Sequence, residues 1–286
     1  MTTLKDRANE FLAILLTTLL LSQTSAAERP QRIVCAGGDL TEIIYALSAG
    51  DRIVAVDSTS VYPPEAREKS QIGYVRRISP EGVLSQKPDL VIGSHDMGPP
   101  HAVDQLRSAG INVALGPDGV TAESVPEKVR FVGQEIGLMA EADKLARQIE
   151  KRLRDVQETV AQNPSKKRVL FVLGLSDNGP LIAGAETAAE SVIQLAGGLS
   201  VGQGFKGYKP MSREAILQAN PDLILMMNGA ARRAGGIDVI LKRPEFSLTN
   251  AGKNKNVILM DGMLLLGFGP RTPEAIEQLF DHLSKS

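Results

Sequence analysis

The chain contains SPEGVLSQKPDLVI at residues 79–92 and, about half a chain later, SREAILQANPDLIL at residues 212–225. Six of the fourteen positions are identical, and three more exchange one branched aliphatic residue for another. Each copy predicts a short helix, a Pro-Asp turn and a buried strand. A tyrosine precedes each copy, Tyr74 in one case and Tyr208 in the other. Two similar halves predict two lobes that face each other across a cleft, and ligands bind in such clefts.

The rest of the chain alternates strand-like and helical patterns. This alternation predicts parallel sheets in an α/β fold. Strands are expected at residues 32–36, 53–56, 90–92, 111–115, 168–173 and 257–260, and helices at 102–109, 188–195 and from 272 nearly to the end.

A long helix is expected between the two repeats. Residues 141–162 contain no Gly or Pro and place apolar side chains at helical spacing, from Leu145 to Val160. A helix of this length spans about 33 Å. Its position favours a rigid spine that joins two pseudo-symmetric lobes, and the alternative is an ordinary surface helix of one lobe.

The first 27 residues have the pattern of a secretory signal peptide. Lys5 and Arg7 give a basic start, residues 11–21 are apolar, and Ala26-Ala27 supplies small residues for cleavage. The apolar run is short for a membrane span, although an N-terminal anchor is the alternative. The expected organisation is a signal peptide at 1–27, an N-terminal lobe at 28–140, a spine helix at 141–163 and a C-terminal lobe at 164–286.

Export without a lipid anchor predicts a periplasmic protein. Cys35 is the single cysteine, lies eight residues beyond the expected cleavage point, and ends a predicted strand. It is therefore interpreted as a small buried residue and not as a site of lipidation.

Charge and motif content disfavour several classes of protein. Lys and Arg total 32 against 33 Asp and Glu, so the net charge of −1 offers no basic surface for nucleic acid or for an anionic membrane. The chain has no Gly-x-Ser-x-Gly element and no phosphate-binding loop. The sequence therefore predicts a soluble binding protein and not an enzyme.

Three segments resemble one family of binding proteins: IGYVRRISPEG at residues 72–82, GYKPMS at 207–212 and LGFGPRTP at 266–273. They are similar to the heme-binding subgroup of the periplasmic binding proteins that have a helical spine between two lobes. That class serves importers of vitamin B12, siderophores and heme. The resemblance implies a monomer that captures ferric heme in the interlobe cleft and delivers it to an inner-membrane ABC permease with its ATPase subunits.

The resemblance also implies a ligand to the heme iron, Tyr74. A phenolate is a hard anionic donor that suits ferric iron, and tyrosine ligation of heme is an established mode. Arg76 is expected beside the phenolate, where a cation favours the anion, and Arg77 is the alternative. Tyr208 is expected to face the cleft and contact the ligand, or else to pack in the core or at the rim.

Further residues are assigned by the same resemblance. Arg232 and Arg233, in an expected loop near the cleft, match the two heme propionates, or else form a solvated charge pair. The second lobe contains no histidine except His282, which argues against a second stacked heme. Glu81 and Glu214, the matched acids of the repeats, are expected to dock onto basic pockets of a two-fold symmetric permease, with helix capping as a compatible role.

Three other functions stay open at this point. A siderophore or cobalamin binder has the same fold, although the Tyr-x-Arg element and an aromatic content of 4% disfavour it. A zinc or manganese binder needs three or four His and carboxylate ligands, and the chain has three His in total. A heme-handling enzyme requires an open site for redox chemistry, which an anionic oxygen ligand disfavours.

Overall fold

Two β-sheets, built from different halves of the chain, form the framework of the protein. The computed structural model describes residues 29–163, 165–176 and 179–285, so the expected signal peptide at 1–27 lies outside the described residues. Residues 31–286 form one compact unit. We call the part around the first sheet the N-terminal lobe and the part around the second sheet the C-terminal lobe.

The first sheet is entirely parallel, in the order β3-β2-β1-β6-β7. A separate antiparallel hairpin, β4-β5, follows β3. The strands are β1 (Ile33–Ala36), β2 (Ile53–Val56), β3 (Ser70–Gln71), β4 (Gly73–Tyr74), β5 (Arg77–Ile78), β6 (Leu90–Gly93) and β7 (Val113–Leu115). The helices of this part are α1 (Gly38–Ala46), α2 (Pro80–Ser85), α3 (Pro100–Ser108) and α4 (Ser124–Glu135).

The second sheet is mixed, in the order β11-β9-β8-β13-β14, with β10 paired to β8 and β12 to β9. Strands β8, β13 and β14 are parallel, and β9 is antiparallel to β8. The strands are β8 (Arg168–Ser176), β9 (Gly179–Ala185), β10 (Leu199–Ser200), β11 (Gly202–Lys206), β12 (Tyr208–Pro210), β13 (Leu223–Met227) and β14 (Val257–Met260).

Nine helices of the described chain remain, and they include the long one. They are α5 (Met139–Gln162), α6 (Ala188–Leu195), α7 (Arg213–Ala219), α8 (Asn228–Arg233), α9 (Ile237–Lys242), α10 (Pro244–Ser247), α11 (Asn250–Lys253), α12 (Gly262–Leu266) and α13 (Thr272–Lys285). The predicted α/β class with two lobes and a long helix between the sheets is confirmed. The exact lobe boundaries at residues 140 and 163 stay a prediction.

The two repeats have the predicted helix, turn and strand, and they share hydrogen bonds as well. Ser79 caps α2 by accepting the Gly82 N–H at 3.0 Å, and Ser212 caps α7 by accepting the Ala215 N–H at 3.2 Å. The strands that follow, β6 and β13, each lie between two parallel neighbours. The sequence similarity is therefore a similarity of structure in both lobes.

The Pro-Asp turn of each repeat binds the start of the neighbouring strand. Asp89 accepts the Gln31 and Arg32 N–H groups just before β1, at 2.8 and 3.0 Å. Asp222 accepts the Arg168 N–H at the start of β8 at 2.9 Å, together with the guanidinium of the same residue. The Arg168 guanidinium holds the pKa of Asp222 at about 2, so this carboxylate stays ionised. Both turns therefore fix strand position at the amino edge of their sheet.

Helix α5 packs along both halves of the chain, as a spine requires. It begins at Met139, after Gly137 with its positive φ of 72° has ended the preceding helical segment. An ideal Cβ at Gly133 in α4 would lie 2.1 Å from the Cβ of Ala142, so only small residues permit this contact. The apolar stripe of α5 belongs to a central core cluster that contains residues of both lobes.

Ion pairs fasten the spine at two places. Arg130 in α4 binds Asp143 and Glu150 at 3.2 and 2.8 Å. Arg152 binds Glu277 in α13 through two hydrogen bonds of 2.6 and 3.1 Å. The spine is thus joined to a helix that precedes it and to the last helix of the chain.

A buried ion pair outside the spine helix also joins the two lobes. The Arg271 guanidinium, which precedes α13, donates to both carboxylate oxygens of Glu42 in α1 at 2.5 and 2.9 Å. It also lies 3.6 Å from the centre of the Tyr62 ring. The Glu42 side chain is 5% exposed, and this burial raises its pKa although Arg271 opposes the shift. A buried carboxylate of this kind depends on its partner cation.

Cys35 is buried in the described structure, as predicted. Burial raises the pKa of its thiol. Within the described ranges, no helix is both long and apolar enough to cross a membrane.

Substitution of Arg271 tests the interlobe pair. We expect Arg271→Met to lower the free energy of unfolding by roughly 3 kcal/mol, because Glu42 is left buried without a cation. The loss would be measured by urea denaturation followed by circular dichroism.

Two further variants control this experiment. The double variant Glu42→Leu/Arg271→Met removes both charges and should recover most of the lost stability. Arg152→Met breaks an exposed pair on the spine and should cost less than about 1 kcal/mol. Equal losses for Arg271→Met and Arg152→Met would contradict the role assigned to the buried pair.

Candidate functional site

Tyr74 lies on a short hairpin at the carboxyl edge of the first sheet. Strands β4 and β5 pair Gly73 with Ile78 and Tyr74 with Arg77, so Val75 and Arg76 form a two-residue turn. The Val75 C=O accepts the Gly98 N–H at 2.9 Å. The Tyr74 side chain is 41% exposed, which leaves its hydroxyl within reach of a ligand. Ligands of open α/β sheets bind at this edge.

Arg76 contacts the tyrosine as the sequence predicts. Its guanidinium donates a hydrogen bond to the Tyr74 hydroxyl oxygen, and the guanidinium carbon lies 5.8 Å from the ring centre. The same guanidinium forms an ion pair with Asp96, which follows β6. Asp96 thus belongs to the cluster, although no sequence pattern singled it out. Asp96, Arg76 and Tyr74 therefore form one cluster, in which the carboxylate binds the guanidinium and the guanidinium binds the phenol.

Arg77 has a different position. It stands opposite Tyr74 in the β4-β5 ladder and is exposed. The hydrogen bond to the phenol comes from Arg76 and not from Arg77. Arg77 thus lies beside the ring as a second positive charge.

Tyr208 belongs to the C-terminal lobe and is partly buried. Its ring packs at 6.4 Å and 58° against the ring of Phe171. Burial raises the pKa of Tyr208, while hydrogen bonds with the Ala189 backbone and the Thr187 side chain, and the positive charge of Arg76, oppose the shift. The neutral form of the Tyr208 phenol is therefore favoured by its burial.

Arg232 and Arg233 lie in a helix, which corrects the expected loop. They form the last turn of α8, directly after β13, and both side chains are exposed. Basic residues are favourable at a helix C-terminus, which explains the local structure. Strand β13 ends at the carboxyl edge of its sheet, so the pair stands at that edge of the C-terminal lobe.

Glu81 and Glu214 occupy matching places in the two lobes. Each lies in the first turn of its repeat helix, and each is exposed. Local hydrogen bonds with its own backbone N–H and the Ser212 side chain lower the pKa of Glu214. Both capping geometry and an accessible acidic surface are therefore present.

The histidines do not assemble a metal site within the described chain. His95 pairs with Asp118 at 3.2 Å, and no group of three or more His, Cys, Asp or Glu side chains is arranged to hold a metal ion among the described residues.

Comparison with known proteins agrees with this architecture. A family model described as periplasmic binding protein matches residues 33–264. The structure of the periplasmic heme-binding protein RhuT from Roseiflexus sp. RS-1 in apo form is 36% identical, covers 88% of this chain and 99% of its own, and has a TM-score of 0.84.

Two curated sequences are also similar. An uncharacterised ABC transporter substrate-binding lipoprotein, YvrC, from Bacillus subtilis is 29% identical over 90% of this chain and 81% of its own length. A vitamin B12-binding protein from Pectobacterium carotovorum is 27% identical over 74% of this chain and 76% of its own length.

The effect of burial on the pKa of Tyr208 can be tested in the ligand-free protein. In an alkaline titration of tyrosinate absorbance, we expect Tyr208→Phe to remove a phenol that ionises later than free tyrosine, because burial raises the pKa of Tyr208. Tyr45, whose pKa burial also raises, should remain in the late phase. Loss of an early-ionising phenol in Tyr208→Phe would contradict this assignment.

Proposed function

This chain belongs to the periplasmic binding protein family, and we propose that it captures ferric heme in the cleft between its lobes and delivers it to an inner-membrane ABC permease. The observation that carries the proposal is the exposed Tyr74 hydroxyl, hydrogen-bonded by an arginine that a carboxylate anchors in turn. The similarity to RhuT, a heme-binding protein, supports it.

The chemistry of this cluster suits ferric iron. A phenolate donates an anionic oxygen, and a guanidinium at hydrogen-bond distance stabilises that anion. Asp96 balances the arginine, so the cluster offers one anionic ligand without a large excess of positive charge. Iron then binds at the exposed oxygen of Tyr74, with Arg76 beside it.

The remaining residues supply the other contacts that a heme needs. Arg77, Arg232 and Arg233 are exposed cations, and guanidinium groups bind carboxylates such as propionates in bidentate fashion. Tyr208, whose ring packs against Phe171, acts as a wall against the porphyrin face. One heme per chain is the proposed stoichiometry.

The proposal also covers location and partners. The protein acts as a monomer in the periplasm, after removal of residues 1–27. Glu81 and Glu214 dock the two lobes onto basic pockets of a permease that works with ATPase subunits, in keeping with the ABC transporter relative. The protein itself performs no chemistry on its ligand.

Cobalamin is the second candidate ligand, because one of the curated relatives is a vitamin B12-binding protein. The two candidates are separable by experiment, because the same protein can be titrated with hemin and with cyanocobalamin.

Hemin titration with absorption spectra tests the main proposal. Tyr74→Phe keeps the ring and removes the oxygen, so we expect loss of the tyrosinate-to-iron charge-transfer band and at least about tenfold weaker binding, which is about 1.4 kcal/mol. Tyr208→Phe is the matched control and should keep the wild-type band.

Several outcomes would contradict the proposal. A wild-type spectrum in Tyr74→Phe would remove Tyr74 as the iron ligand. Uptake of cyanocobalamin but not hemin by the wild-type protein would replace heme by the second candidate. Native mass spectrometry that finds two hemes per chain would overturn the stoichiometry.

Uptake into vesicles that contain the reconstituted permease tests docking. Glu81→Gln and Glu214→Gln should leave hemin affinity unchanged and slow uptake, with the double variant slowest, because interface charges chiefly set orientation and association rate. Higher salt should weaken wild-type docking.

The matched control for docking is Glu158→Gln on an exposed position of the spine, which should transport at the wild-type rate. If the double variant also transports at that rate, the two acids serve only as helix-start residues.

A further inference from the structure

The turn that carries Arg76 is of a kind that needs support from outside the hairpin. Two-residue hairpin turns normally require positive φ angles, which match the twist of the paired strands. Val75 and Arg76 both have negative φ, since neither is among the described residues with positive φ. Local preference alone therefore does not hold Tyr74 and Arg76 in their observed arrangement.

Asp57 supplies that support from the end of β2. Its carboxylate is fully buried and accepts five hydrogen bonds. The donors are the N–H groups of Gly37 at 2.9 Å, Thr59 at 3.0 Å and Val75 at 3.1 Å, and the hydroxyls of Thr59 and Ser60 at 2.9 Å each. Hydrogen bonds to a charged acceptor are about twice as strong as neutral ones.

These bonds connect the hairpin to rigid parts of the lobe. Gly37 lies between β1 and α1, so Asp57 joins the turn to the carboxyl edge of the sheet. Val75 is 5% exposed and belongs to a buried apolar cluster of the N-terminal lobe, together with Ile72 and Ile78. Val75 stands between Tyr74 and Arg76 in the chain, and its N–H therefore sets where both side chains emerge.

We propose that Asp57 is a positioning residue, which through the Val75 N–H holds the Tyr74 oxygen and the Arg76 guanidinium at the distance that ligand binding requires. This inference takes the identity of the ligand from the proposed function. The geometry comes from the hydrogen bond between the Val75 N–H and Asp57. Asp57 touches neither Tyr74 nor Arg76 by its side chain, and sequence inspection gives no indication of the role.

An amide cannot replace this carboxylate. In Asp57→Asn, an NH₂ group in the place of Oδ2 would face the N–H groups of Thr59 and Val75, and an NH₂ group in the place of Oδ1 would face the N–H of Gly37. The first orientation leaves the Val75 N–H without an acceptor, and the second leaves the Gly37 N–H without one. In both orientations the charge is lost, so a bond that the Val75 N–H retains is to a neutral and weaker acceptor. The substitution should therefore loosen the turn without removing any contact residue of the ligand.

The first measurement is amide hydrogen exchange of the ligand-free protein. In Asp57→Asn, residues 72–79 should exchange about tenfold faster than in the wild type, the effect of losing about 1.4 kcal/mol of local stabilisation. Asp222→Asn, which weakens a comparable carboxylate network at the amino edge of the C-terminal sheet, should leave this segment unchanged. Unchanged exchange in Asp57→Asn would overturn the proposal.

The second measurement is a double-mutant cycle on hemin binding and on the charge-transfer band. Val75→Pro removes the N–H donor and keeps a residue of similar size, and proline is favoured at the first central position of a turn with negative φ. Asp57→Asn and Val75→Pro should each weaken binding about tenfold and shift the band, and the double variant should lose no more than either single variant. Additive losses would overturn the proposal, since they would mean that Asp57 acts by another route.

The two readouts separate this inference from the proposed function. If wild-type protein fails to bind hemin, the proposed function is wrong, and the exchange experiment still decides the role of Asp57. If Asp57→Asn fails to fold, exchange in Val75→Pro decides it: faster exchange of residues 72–79 supports the proposal, and wild-type exchange overturns it.

Discussion

The buried ion pair between Arg271 and Glu42 holds the C-terminal part of the chain against the N-terminal lobe, and the geometry of the cleft depends on it. The spine helix is the other connection, fastened through Arg130 and Arg152. The central core cluster adds apolar packing between the lobes, because it contains residues of both. Charge pairing and apolar packing together therefore join the two lobes.

Within this frame, carboxylates organise the proposed site without belonging to its surface. Asp96 fixes the guanidinium of Arg76, and Asp57 fixes the backbone of the turn. An exposed tyrosine next to a two-residue turn would otherwise sample many positions. Preorganisation by neighbours that do not touch the ligand is how a solvent-exposed side chain attains a defined position.

The two lobes share their framework but differ in their tyrosines. The repeats match in their serine caps and in the aspartates that bind the neighbouring strand. Tyr74 is exposed on a hairpin beside Arg76, whereas Tyr208 packs on Phe171, and burial raises its pKa. The lobes are pseudo-symmetric, but the proposed site is not. Tyr74 of one lobe is the proposed ligand of the iron, and Tyr208 of the other lobe is the proposed wall against the porphyrin face.

The sequence by itself determined seven of the described strands, the spine and the repeat, because these follow from periodicity and local turn chemistry. It did not indicate the short strands β3 to β5 or the strands β9 to β12. It also singled out Tyr74 with Arg76, which are two residues apart and in contact. It placed Arg232 and Arg233 in a loop, where the structure has a short helix directly after a strand. Only the tertiary structure decided three contacts: Asp57 with Val75, Arg76 with Asp96, and Glu42 with Arg271. The residues of each pair are far apart in the chain and meet only when it folds. No local sequence pattern indicates which of the many acidic residues will face which donor.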